Sequence, residues 1–475
     1  MYNTSLFIFR RDLRLVDNTA WLKCSKYSKK IIPCFIINPE QVGSSNRFRS
    51  DPCIQFMIES LEDLDKELKK YGGKLNVLYG DDDGVITKII KKYKIDALFT
   101  NQDYTNYARI REEKIQQICE KRHVAFKIYE DIMLVPIGEN IKTGSGSSYS
   151  KFTPYYNVAS KKKIPKPIKS PDVKKKLVSI ENDITWSKMH KLYSPLPKIH
   201  VHGGRENGLK ILRNLKKDIS NYEKTHNVPH IKTSNLSAYN KFGCISIREV
   251  YYFAKKLKGI NRKAFIRQLY WRDFYYYLVW HFPHVLSELK NNRNFKKSYS
   301  KVHWFSLIKG VKPTAEAKKQ FLAWQKGETG FPLVDAGMRQ LNQTGYMHNR
   351  VRLVVGNFLT RDLHWNWEDG ELYFAQHLVD YDPAQNNGNW QWISGSGVDS
   401  QPYFRIFNPW TQSKTLDSEA EYIKKWIPEL KNVPAEDIHN WNVAHLKYKK
   451  CKYPAPILDH DTEKNKALTF YKKAY

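Results

Sequence analysis

The pattern of apolar residues changes along the chain from strand–helix alternation to almost continuous helical periodicity, and this change constrains the fold most. Short apolar runs punctuate the first 130 residues, at Ser5–Phe9, Ile31–Ile37, Leu75–Tyr79, Ala97–Thr100 and Val124–Tyr129. Between the second and third runs, apolar side chains recur at helical spacing and end on Gly72 and Gly73, a common signal for the end of a helix. Buried strands that alternate with helices predict a doubly wound parallel sheet. No G-x-G-x-x-G motif follows the first run, so the ordinary dinucleotide-binding fingerprint is missing.

The rest of the chain falls into two further segments. Residues 132–202 are rich in Gly, Ser, Pro and Lys, which indicates a long interdomain connection with a solvated basic stretch. After Gly203, apolar residues recur every three or four positions almost throughout. We therefore predict an α/β domain at 1–131, a linker at 132–202 and a larger all-helical domain at 203–475.

Charge indicates the class of partner. The chain carries 79 Lys and Arg against 48 Asp and Glu, a net charge of +31, and such an excess favours a polyanion such as nucleic acid. An anionic membrane is the alternative, but no apolar run approaches about 18 residues and no strongly amphipathic basic helix stands out. The 30 Tyr, 22 Phe and 13 Trp either fill cores or stack on flat partners, and composition leaves both uses open.

The cysteines and the N-terminus indicate an intracellular protein. Six cysteines are scattered with no C-x-x-C pair and no Cys/His spacing typical of zinc, so we expect reduced thiols and no metal. The N-terminus turns basic at Arg10, before the apolar region of a secretory signal could form. We expect a cytoplasmic or nuclear protein that is not secreted.

Two polar segments of the helical part suit binding as well as structure. Thr233–Ser237 supplies three hydroxyls in five residues, which either cap the next helix or, with free backbone N–H groups, hold phosphates. A single helical face carries Gln268, Trp271, Arg272 and Tyr275. A helical face that carries an aromatic ring usually packs in the core. In a core, however, the Gln268 amide and the Arg272 guanidinium would need hydrogen-bond partners. This face therefore suits the wall of a cavity for a flat heterocycle better than it suits a core.

A third segment, Val379–Gly395, places large rings beside small polar residues. It contains two aspartates, two adjacent asparagines and two tryptophans, a mixture that a core does not require. Arg352 lies in an apolar helical run and needs a carboxylate there, since a buried charge that loses its partner costs about 3–5 kcal/mol. Asp380 and Asp382 are both candidates for that partner.

Five motifs carry a resemblance to a known family, and they occur in the order FRRDLRLVDN, TSNLS…FGCIS, QLYWRDFY, KGETGFPLVDAGMRQLNQTGYMHNRVR and NNGNWQW…YFRIFNPWTQ. In this order, and spread over essentially the whole chain, they resemble the DNA photolyase/cryptochrome family, most closely its class I cyclobutane pyrimidine dimer photolyases. The resemblance implies an α/β antenna domain followed by a helical domain that binds FAD in a folded, U-shaped form. It also implies a flavin that is reduced and anionic when active.

The resemblance assigns cofactor and electron-transfer roles. The residues implied to hold FAD are Tyr222, Thr233, Ser234, Asn235, Leu236, Ser237, Arg272, Arg352, Asp380, Tyr381, Asp382 and Asn386. Asn386 would also face the flavin N5 atom. Trp390 would begin an electron path that leads away from the flavin, with Trp367 as its second member. The family's usual third tryptophan is missing before Trp324, so Trp304 or a tyrosine is expected to take that place.

The same resemblance implies how DNA is bound and repaired. The lesion would be flipped out of the duplex to meet the flavin, and it would stack against Trp271 and Trp392. Contacts with the lesion or its strand are implied for Gln268, Asn349, Arg350, Arg405 and Gln412. The excited reduced flavin would pass one electron to the dimer, whose cyclobutane bonds split before the electron returns. Photolyases for the (6-4) product carry two histidines where this chain has Asn349 and Leu353, so repair of cyclobutane dimers is expected.

The second chromophore and the alternative functions stay open at this point. The segment around Asn106 matches the folate site of some relatives, but Tyr107 replaces an acidic residue, so folate, a deazaflavin and an empty site are all retained. The expected partner is DNA that contains pyrimidine dimers, bound by a monomer. The main alternative is a cryptochrome-type blue-light receptor, which the positive charge and the expected lack of a long signalling tail oppose. A basic DNA-binding protein without catalysis would not explain Asp380, Asn386 and Trp390 together, and a flavin oxidoreductase would need a nicotinamide site, which we do not find.

Overall fold

The computed structural model describes residues 1–286, 293–400 and 402–473, and contacts divide the chain into two compact units. Unit 1 comprises Met1–Pro195, Val201–Ser220 and Ser234–Leu286. Unit 2 comprises Leu196–His200, Asn221–Thr233 and Ser287–Tyr475. This division does not follow the boundaries predicted at residues 131 and 202, because helices of the predicted helical domain pack in the same unit as the sheet.

Within the described residues the elements are as follows. The strands are β1 (Tyr2–Ile8), β2 (Ser28–Ile37), β3 (Asn76–Tyr79), β4 (Ala97–Asn101) and β5 (Ala125–Tyr129). The α-helices are α1 (Thr19–Tyr27), α2 (Pro39–Val42), α3 (Asp51–Lys69), α4 (Asp82–Tyr93), α5 (Asn106–Lys121), α6 (Phe152–Ala159), α7 (Trp186–His190), α8 (Arg205–Asp218), α9 (Tyr222–Thr225), α10 (Ser237–Phe242), α11 (Ile247–Ala254), α12 (Gly259–His281), α13 (Ala315–Lys326), α14 (Pro332–Thr344), α15 (Asn349–Arg361), α16 (Trp367–His377), α17 (Pro383–Ser394), α18 (Pro409–Leu416), α19 (Glu421–Trp426), α20 (Ala435–His439), α21 (Trp441–Ala444) and α22 (His460–Lys472). Short 3-10 helices lie at Ile137–Glu139, Pro283–Leu286, Lys297–Lys301, Pro428–Leu430 and His445–Lys447.

Unit 1 is built on a parallel sheet with the strand order β3-β2-β1-β4-β5. β1 lies at its centre, with Leu6 opposite Ile32 of β2 and opposite Leu98 of β4. The chain adds β2 and β3 on one side of β1 and then crosses over to add β4 and β5 on the other side, as doubly wound folds do. The predicted doubly wound sheet is confirmed, and each predicted apolar run coincides with one strand.

The helix predicted between the second and third strands is α3. It begins after Ser50, whose side chain accepts a hydrogen bond from the backbone N–H of Cys53. The chain leaves the helix at Gly72, which takes a positive φ of 78° that side chains rarely adopt. The double glycine in the sequence therefore marked the end of this helix correctly.

The segment predicted as a solvated linker also contains packed parts. α6 buries Phe152 and Tyr155, and beyond it the Val178 N–H donates to the Ile31 carbonyl of β2 at 2.8 Å. Most lysines of the basic stretch are exposed, including Lys161, Lys166 and Lys175. The solvated basic stretch agrees with the prediction, and the short apolar runs beside it are packed.

Unit 2 is helical, as the periodicity predicted, and its core is rich in tryptophan. Four tryptophans of this core are at most 1% exposed, namely Trp324, Trp365, Trp367 and Trp441. In the described ranges, no helix combines the length and the apolar character needed to cross a membrane. All six cysteines are free thiols, as predicted.

Candidate functional site

Arg352 of α15 is paired with a carboxylate, as its place in an apolar helix predicted. Its Nη2 atom lies 3.0 Å and 3.2 Å from the two carboxylate oxygens of Asp380, and its Nε donates to the Met347 carbonyl at 2.8 Å. Asp382, the other candidate partner, accepts hydrogen bonds from two backbone N–H groups in the first turn of α17. Asp382 therefore caps α17 and fixes where this helix begins.

Asn386 lies one turn along α17, and one end of its amide has no partner. The Nδ2 atom donates to the Glu371 carbonyl at 3.0 Å, and the residue is only 9% exposed. The Oδ1 atom accepts no hydrogen bond from any residue that the structure describes. An amide oxygen with no protein partner can accept a hydrogen bond from an N–H group of a ligand.

Trp390 follows one turn later and lies against two helical glycines. It is 4% exposed and meets the Phe374 ring edge-on, with centroids 5.0 Å apart and planes at 82°. A Cβ atom added to Gly370 of α16 would lie 2.3 Å from Trp390 Cη2, and one added to Gly356 of α15 would lie 3.3 Å from Trp390 Cζ3. Glycine at 370 is therefore required by the close approach of the indole ring.

The other two tryptophans assigned to the electron path have different surroundings. Trp367 donates its Nε1–H to Asn294 Oδ1 at 2.8 Å, and the Arg293 guanidinium carbon lies 5.3 Å from its ring centroid. Trp304 donates its Nε1–H to the Tyr471 hydroxyl at 3.0 Å. No ring contact between described residues joins Trp304 to Trp367, so the place of Trp304 in the path stays a prediction.

Trp324, which the sequence reasoning used only as a landmark, is connected to Trp390 by rings. The Phe374 ring lies between them, with centroids 5.0 Å from Trp390 and 6.3 Å from Trp324. Trp324 also contacts the half-buried Tyr373 at 5.5 Å. The helical spacing of Trp324 in α13 marked it as core, and nothing in the sequence indicated which rings it meets.

The remaining cofactor candidates of unit 2 lie near Tyr346 or against the core. The Thr233 hydroxyl hydrogen-bonds to Tyr346, and the Arg352 guanidinium carbon lies 5.4 Å from the Tyr346 ring centroid. Tyr346 thus connects Thr233 with the Arg352–Asp380 pair. Tyr222 is buried and stacks on a histidine ring 5.0 Å away, while Tyr381 packs half-buried on the core.

In unit 1, the hydroxyl-rich segment does not cap the helix that follows it. The N-cap position of α10 is held by Leu236, and no side chain caps this helix. The hydroxyls of Ser234 and Ser237 make no hydrogen bond to a described residue, and Asn235 takes a positive φ of 51°. Of the two interpretations left open by the sequence, capping of α10 is excluded and phosphate binding is retained.

Arg272 and Trp271 of α12 are both engaged within unit 1. Arg272 donates to the backbone carbonyls of Ile132 and Asn240 at 2.7 Å and 3.0 Å. Trp271 stacks on Phe152 of α6 with ring centroids 3.6 Å apart and planes 8° from parallel. Trp271 stays half-exposed, and Gln268, one turn earlier, is exposed. One face of the indole is therefore used for packing, and part of the ring remains accessible.

The residues of unit 2 predicted to contact DNA are accessible to different degrees. Asn349 and Arg405 are exposed, and Trp392 and Gln412 are half-buried. Arg350 donates from Nε and Nη2 to an asparagine side chain, at 3.1 Å and 2.8 Å. Burial lowers the pKa of Arg350 from its usual range.

An exposed aromatic ring beside Arg405 was missed by the sequence reasoning. Phe404 is 65% exposed, although a phenylalanine is usually buried. Its neighbour Tyr403 meets it edge-on at 5.5 Å. The sequence signal was available, since aromatic residues flank an arginine in a segment without helical spacing.

Polar side chains also gather where the strands of the sheet end. Arg10, after β1, pairs with Asp82, and Asn38, after β2, donates to the Tyr107 hydroxyl at 3.2 Å. Arg111 is 8% exposed, and its buried Nε–H has no acceptor among the described residues. The carboxyl ends of strands beside a reversal of strand order are the usual ligand site of such sheets. The sequence reasoning missed this cluster because its members come from four separate segments.

Comparison with known proteins agrees with this geometry. A family profile described as the FAD binding domain of DNA photolyase matches residues 265–473, and one described as DNA photolyase matches residues 5–172. A deoxyribodipyrimidine photo-lyase of Alkalihalophilus pseudofirmus is 34% identical over 98% of this chain and 97% of its own length. The chain belongs to the DNA photolyase family.

Solved structures of photolyases and cryptochromes share the fold. A photolyase from Sulfolobus tokodaii, solved with two FAD molecules, matches with a TM-score of 0.85 and 38% identity over 99% of both chains. A Synechocystis cryptochrome matches with a TM-score of 0.85 and 25% identity over 98% of this chain and 99% of that one. The predicted α/β part and FAD-binding helical part are thereby confirmed. Because both subfamilies share the fold, repair activity must be argued from the site.

Each unit, taken by itself, has unused polar groups that suit part of an FAD molecule. The unpartnered Oδ1 of Asn386 suits a ring N–H, and the unused hydroxyls of Ser234 and Ser237 suit a phosphate. The Arg352 side chain is 25% exposed beside the 5% exposed carboxylate of Asp380, so the pair can still reach a ligand.

Proposed function

We propose that this protein uses light and a reduced, anionic FAD to repair cyclobutane pyrimidine dimers in DNA. The Asn386 amide carries the proposal, since it is buried and fixed to the Glu371 carbonyl with its oxygen unpartnered. An amide oxygen accepts a hydrogen bond from the N5–H of a reduced flavin ring, whereas the unprotonated N5 of an oxidised ring has no hydrogen to give.

The protein's own task is to hold and orient the cofactor. When bound, FAD supplies the photochemistry, which is light absorption and the transfer of one electron. Asn386 would hold the N5 edge, and the Arg352–Asp380 pair and Asp382 would lie at the ring system. Further contacts to the dinucleotide are proposed for Tyr222, Thr233, Ser234, Asn235, Leu236, Ser237, Arg272 and Tyr381.

The repair step breaks two carbon–carbon bonds of the dimer and needs no net oxidant or reductant, because the electron that enters the dimer leaves it again. The protein therefore needs an electron supply only to reduce its cofactor beforehand. We propose that Trp390 supplies this electron, and the position of its packed ring one turn after Asn386 on α17 supports the proposal. Trp367 is retained as the second donor, and the ring contacts through Phe374 support Trp324 and Tyr373 as an alternative outer part of the path.

DNA binding is proposed for both sets of accessible residues. In unit 1 the accessible part of Trp271 would stack on the flipped dimer, with Gln268 hydrogen-bonding a base edge. In unit 2, Trp392 would provide a second stacking surface, with Asn349, Arg350 and Gln412 as polar contacts. Arg405 would bind a backbone phosphate, and the exposed Phe404 ring would occupy the space that flipping opens in the duplex.

A second chromophore is proposed at the carboxyl ends of β1 and β2. Asn106, the folate candidate of the sequence, donates its amide to the Pro283 carbonyl at 2.7 Å and is thereby engaged. Arg10, Asn38 and the unpartnered Nε of Arg111 instead offer donors to a polar ring system. We propose a deazaflavin- or flavin-type antenna there, and the second FAD of the Sulfolobus tokodaii photolyase supports this choice over a folate.

The repair assay separates this function from its alternatives. Photoreduced protein is illuminated with one oligonucleotide that carries a cyclobutane thymine dimer and another that carries a (6-4) product, with dark samples as controls. We expect light-dependent loss of the cyclobutane dimer only. Loss of the (6-4) product would contradict the lesion assignment, and loss of neither by flavin-loaded protein would favour a light receptor.

A further inference from the structure

The helix α6 lies against the part of α12 that carries Gln268 and Trp271. Phe152 of α6 is fully buried, and its ring covers one face of Trp271 at a centroid separation of 3.6 Å. Phe274 and Tyr275 contact the same indole at 5.9 Å and 6.0 Å. Three surrounding rings restrict rotation of Trp271, so its accessible part is oriented before a ligand arrives, which lowers the entropic cost of binding.

Hydrogen bonds hold the chain on both sides of α6. Before the helix, the Tyr277 hydroxyl donates to the Ile141 carbonyl at 2.7 Å and accepts from the Tyr149 N–H at 3.0 Å. After the helix, the Tyr252 hydroxyl donates to the Ile164 carbonyl at 2.6 Å. Phe152 is therefore attached to a segment that is anchored at both ends and cannot easily leave Trp271.

Arg267 is held over the same group of rings. Its guanidinium carbon lies 5.0 Å from the Phe152 centroid and 5.1 Å from the Tyr156 centroid, a cation–π arrangement. It is half-exposed, and it makes no hydrogen bond or ion pair with any residue in the described ranges. A guanidinium that is fixed in place with its N–H donors unused matches the geometry of a phosphate.

We propose that Phe152, Arg267 and Trp271, which we call the α6–α12 rim, form a strand-binding edge beside the flipped dimer. Arg267 binds a backbone phosphate of the damaged strand, and Phe152 is a positioning residue that holds both Trp271 and Arg267. The proposal rests on the proposed repair function and extends it to a segment that the sequence predicted to be solvated. A phosphate contact adds affinity for any DNA, whereas an oriented stacking ring adds preference for the lesion.

The phosphate contact is tested by the salt dependence of binding. FAD-loaded protein is titrated in the dark into a fluorescent duplex with one cyclobutane dimer and into the same duplex without damage, at several salt concentrations. Arg267→Gln is expected to lower the slope of log affinity against log salt by about 0.9 for both duplexes. Arg122→Gln, which removes the same charge from the exposed end of α5, is the matched control and is expected to leave the slope unchanged.

The positioning role is tested by the preference for damaged DNA. Phe152→Leu is expected to lower the ratio of damaged to undamaged affinity by about 3- to 10-fold, since one aromatic stack is lost. Affinity for undamaged DNA should fall by less than affinity for the damaged duplex, because the Tyr156 ring still lies under Arg267, whereas a general loss of structure would lower both affinities alike. Phe265→Leu shortens another buried ring of α12 and controls for lost packing.

The possible results distinguish failure of the rim proposal from failure of the proposed repair function. A wild-type protein without preference for the dimer would defeat the proposed function together with the rim. A normal preference in the wild type, with an unchanged salt slope in Arg267→Gln or an unchanged ratio in Phe152→Leu, would overturn the rim alone. If Phe152→Leu does not fold, the slope of Arg267→Gln decides.

Discussion

Gly370→Ala tests the position of Trp390, on which the electron supply depends. The new Cβ would lie 2.3 Å from Trp390 Cη2 and 2.5 Å from Leu359 Cδ2. Favourable carbon–carbon contacts lie at about 3.5–4.0 Å, so the overlap is about 1 Å on two sides. Trp390 and Leu359 are 4% and 0% exposed, so neither can move out into solvent.

The expected cost follows from this overlap. Overpacking of a buried site costs about 1–3 kcal/mol, and the higher helix propensity of alanine offsets about 1 kcal/mol of it. We expect the free energy of unfolding to fall by up to about 2 kcal/mol. Gly356→Ala is the matched control, because its Cβ would lie 3.3 Å from Trp390 Cζ3 and from Ile393 Cγ2. There the neighbours must move by only a few tenths of an ångström, and stability should be unchanged or slightly higher.

Two measurements on the variants are needed. Urea unfolding gives the stability, and the rate at which blue light reduces the oxidised bound flavin reports electron supply from Trp390. We expect Gly370→Ala to be less stable and slower in photoreduction, while Gly356→Ala stays normal in both, since only the first variant displaces the indole. Equal stability and equal photoreduction in the two variants would refute the packing of Trp390 against α16.

Three further predictions concern single side chains. Asp380→Asn should reduce flavin retention and lower the free energy of unfolding by about 2 kcal/mol. This is less than the cost of breaking a fully buried ion pair, because the Arg352 side chain is 25% exposed. The control Asp382→Asn keeps the helix cap, so its stability in urea should be nearly unchanged. Trp390→Phe should slow photoreduction and spare repair by already reduced protein; a normal photoreduction rate would exclude Trp390 from the path. Burial raises the pKa of Asp273 to about 7, above the usual value of about 3.9, so the folded state loses stability as pH rises from about 4 to about 7. Asp273→Asn should therefore raise the melting temperature more at about pH 8 than at about pH 5, and an equal effect at both would contradict the raised pKa.

The fold was largely predictable because its strands are buried and its helices amphipathic. Each apolar run coincides with one strand, and the predicted strand ends are less accurate. β1 begins at Tyr2, three residues before the predicted run, because Tyr2 and Asn3 are not buried and do not extend the apolar run. α6 was hidden because it spans only 8 residues between segments rich in glycine and lysine. A short helix in such surroundings shows its apolar face only after its packing partner is known.

Sequence alone predicted those parts of the site in which one residue needs a partner of a known chemical kind. Arg352 required a carboxylate, but the choice between Asp380 and Asp382 depended on the start of α17, where Asp382 is used as the cap. The partner of Trp304 lies 167 positions away in Tyr471, and no local pattern links the two. Stacking of Phe152 on Trp271 is likewise a tertiary contact between segments of different composition.

The central claim is that the helical part of this chain encloses FAD around Asn386 and the Arg352–Asp380 pair, and the chromophore content of the purified protein tests it most directly. We predict a yellow protein that releases FAD on denaturation and that retains less FAD when Asp380 is replaced by asparagine. A colourless wild-type protein that takes up no FAD when the cofactor is supplied would contradict the claim.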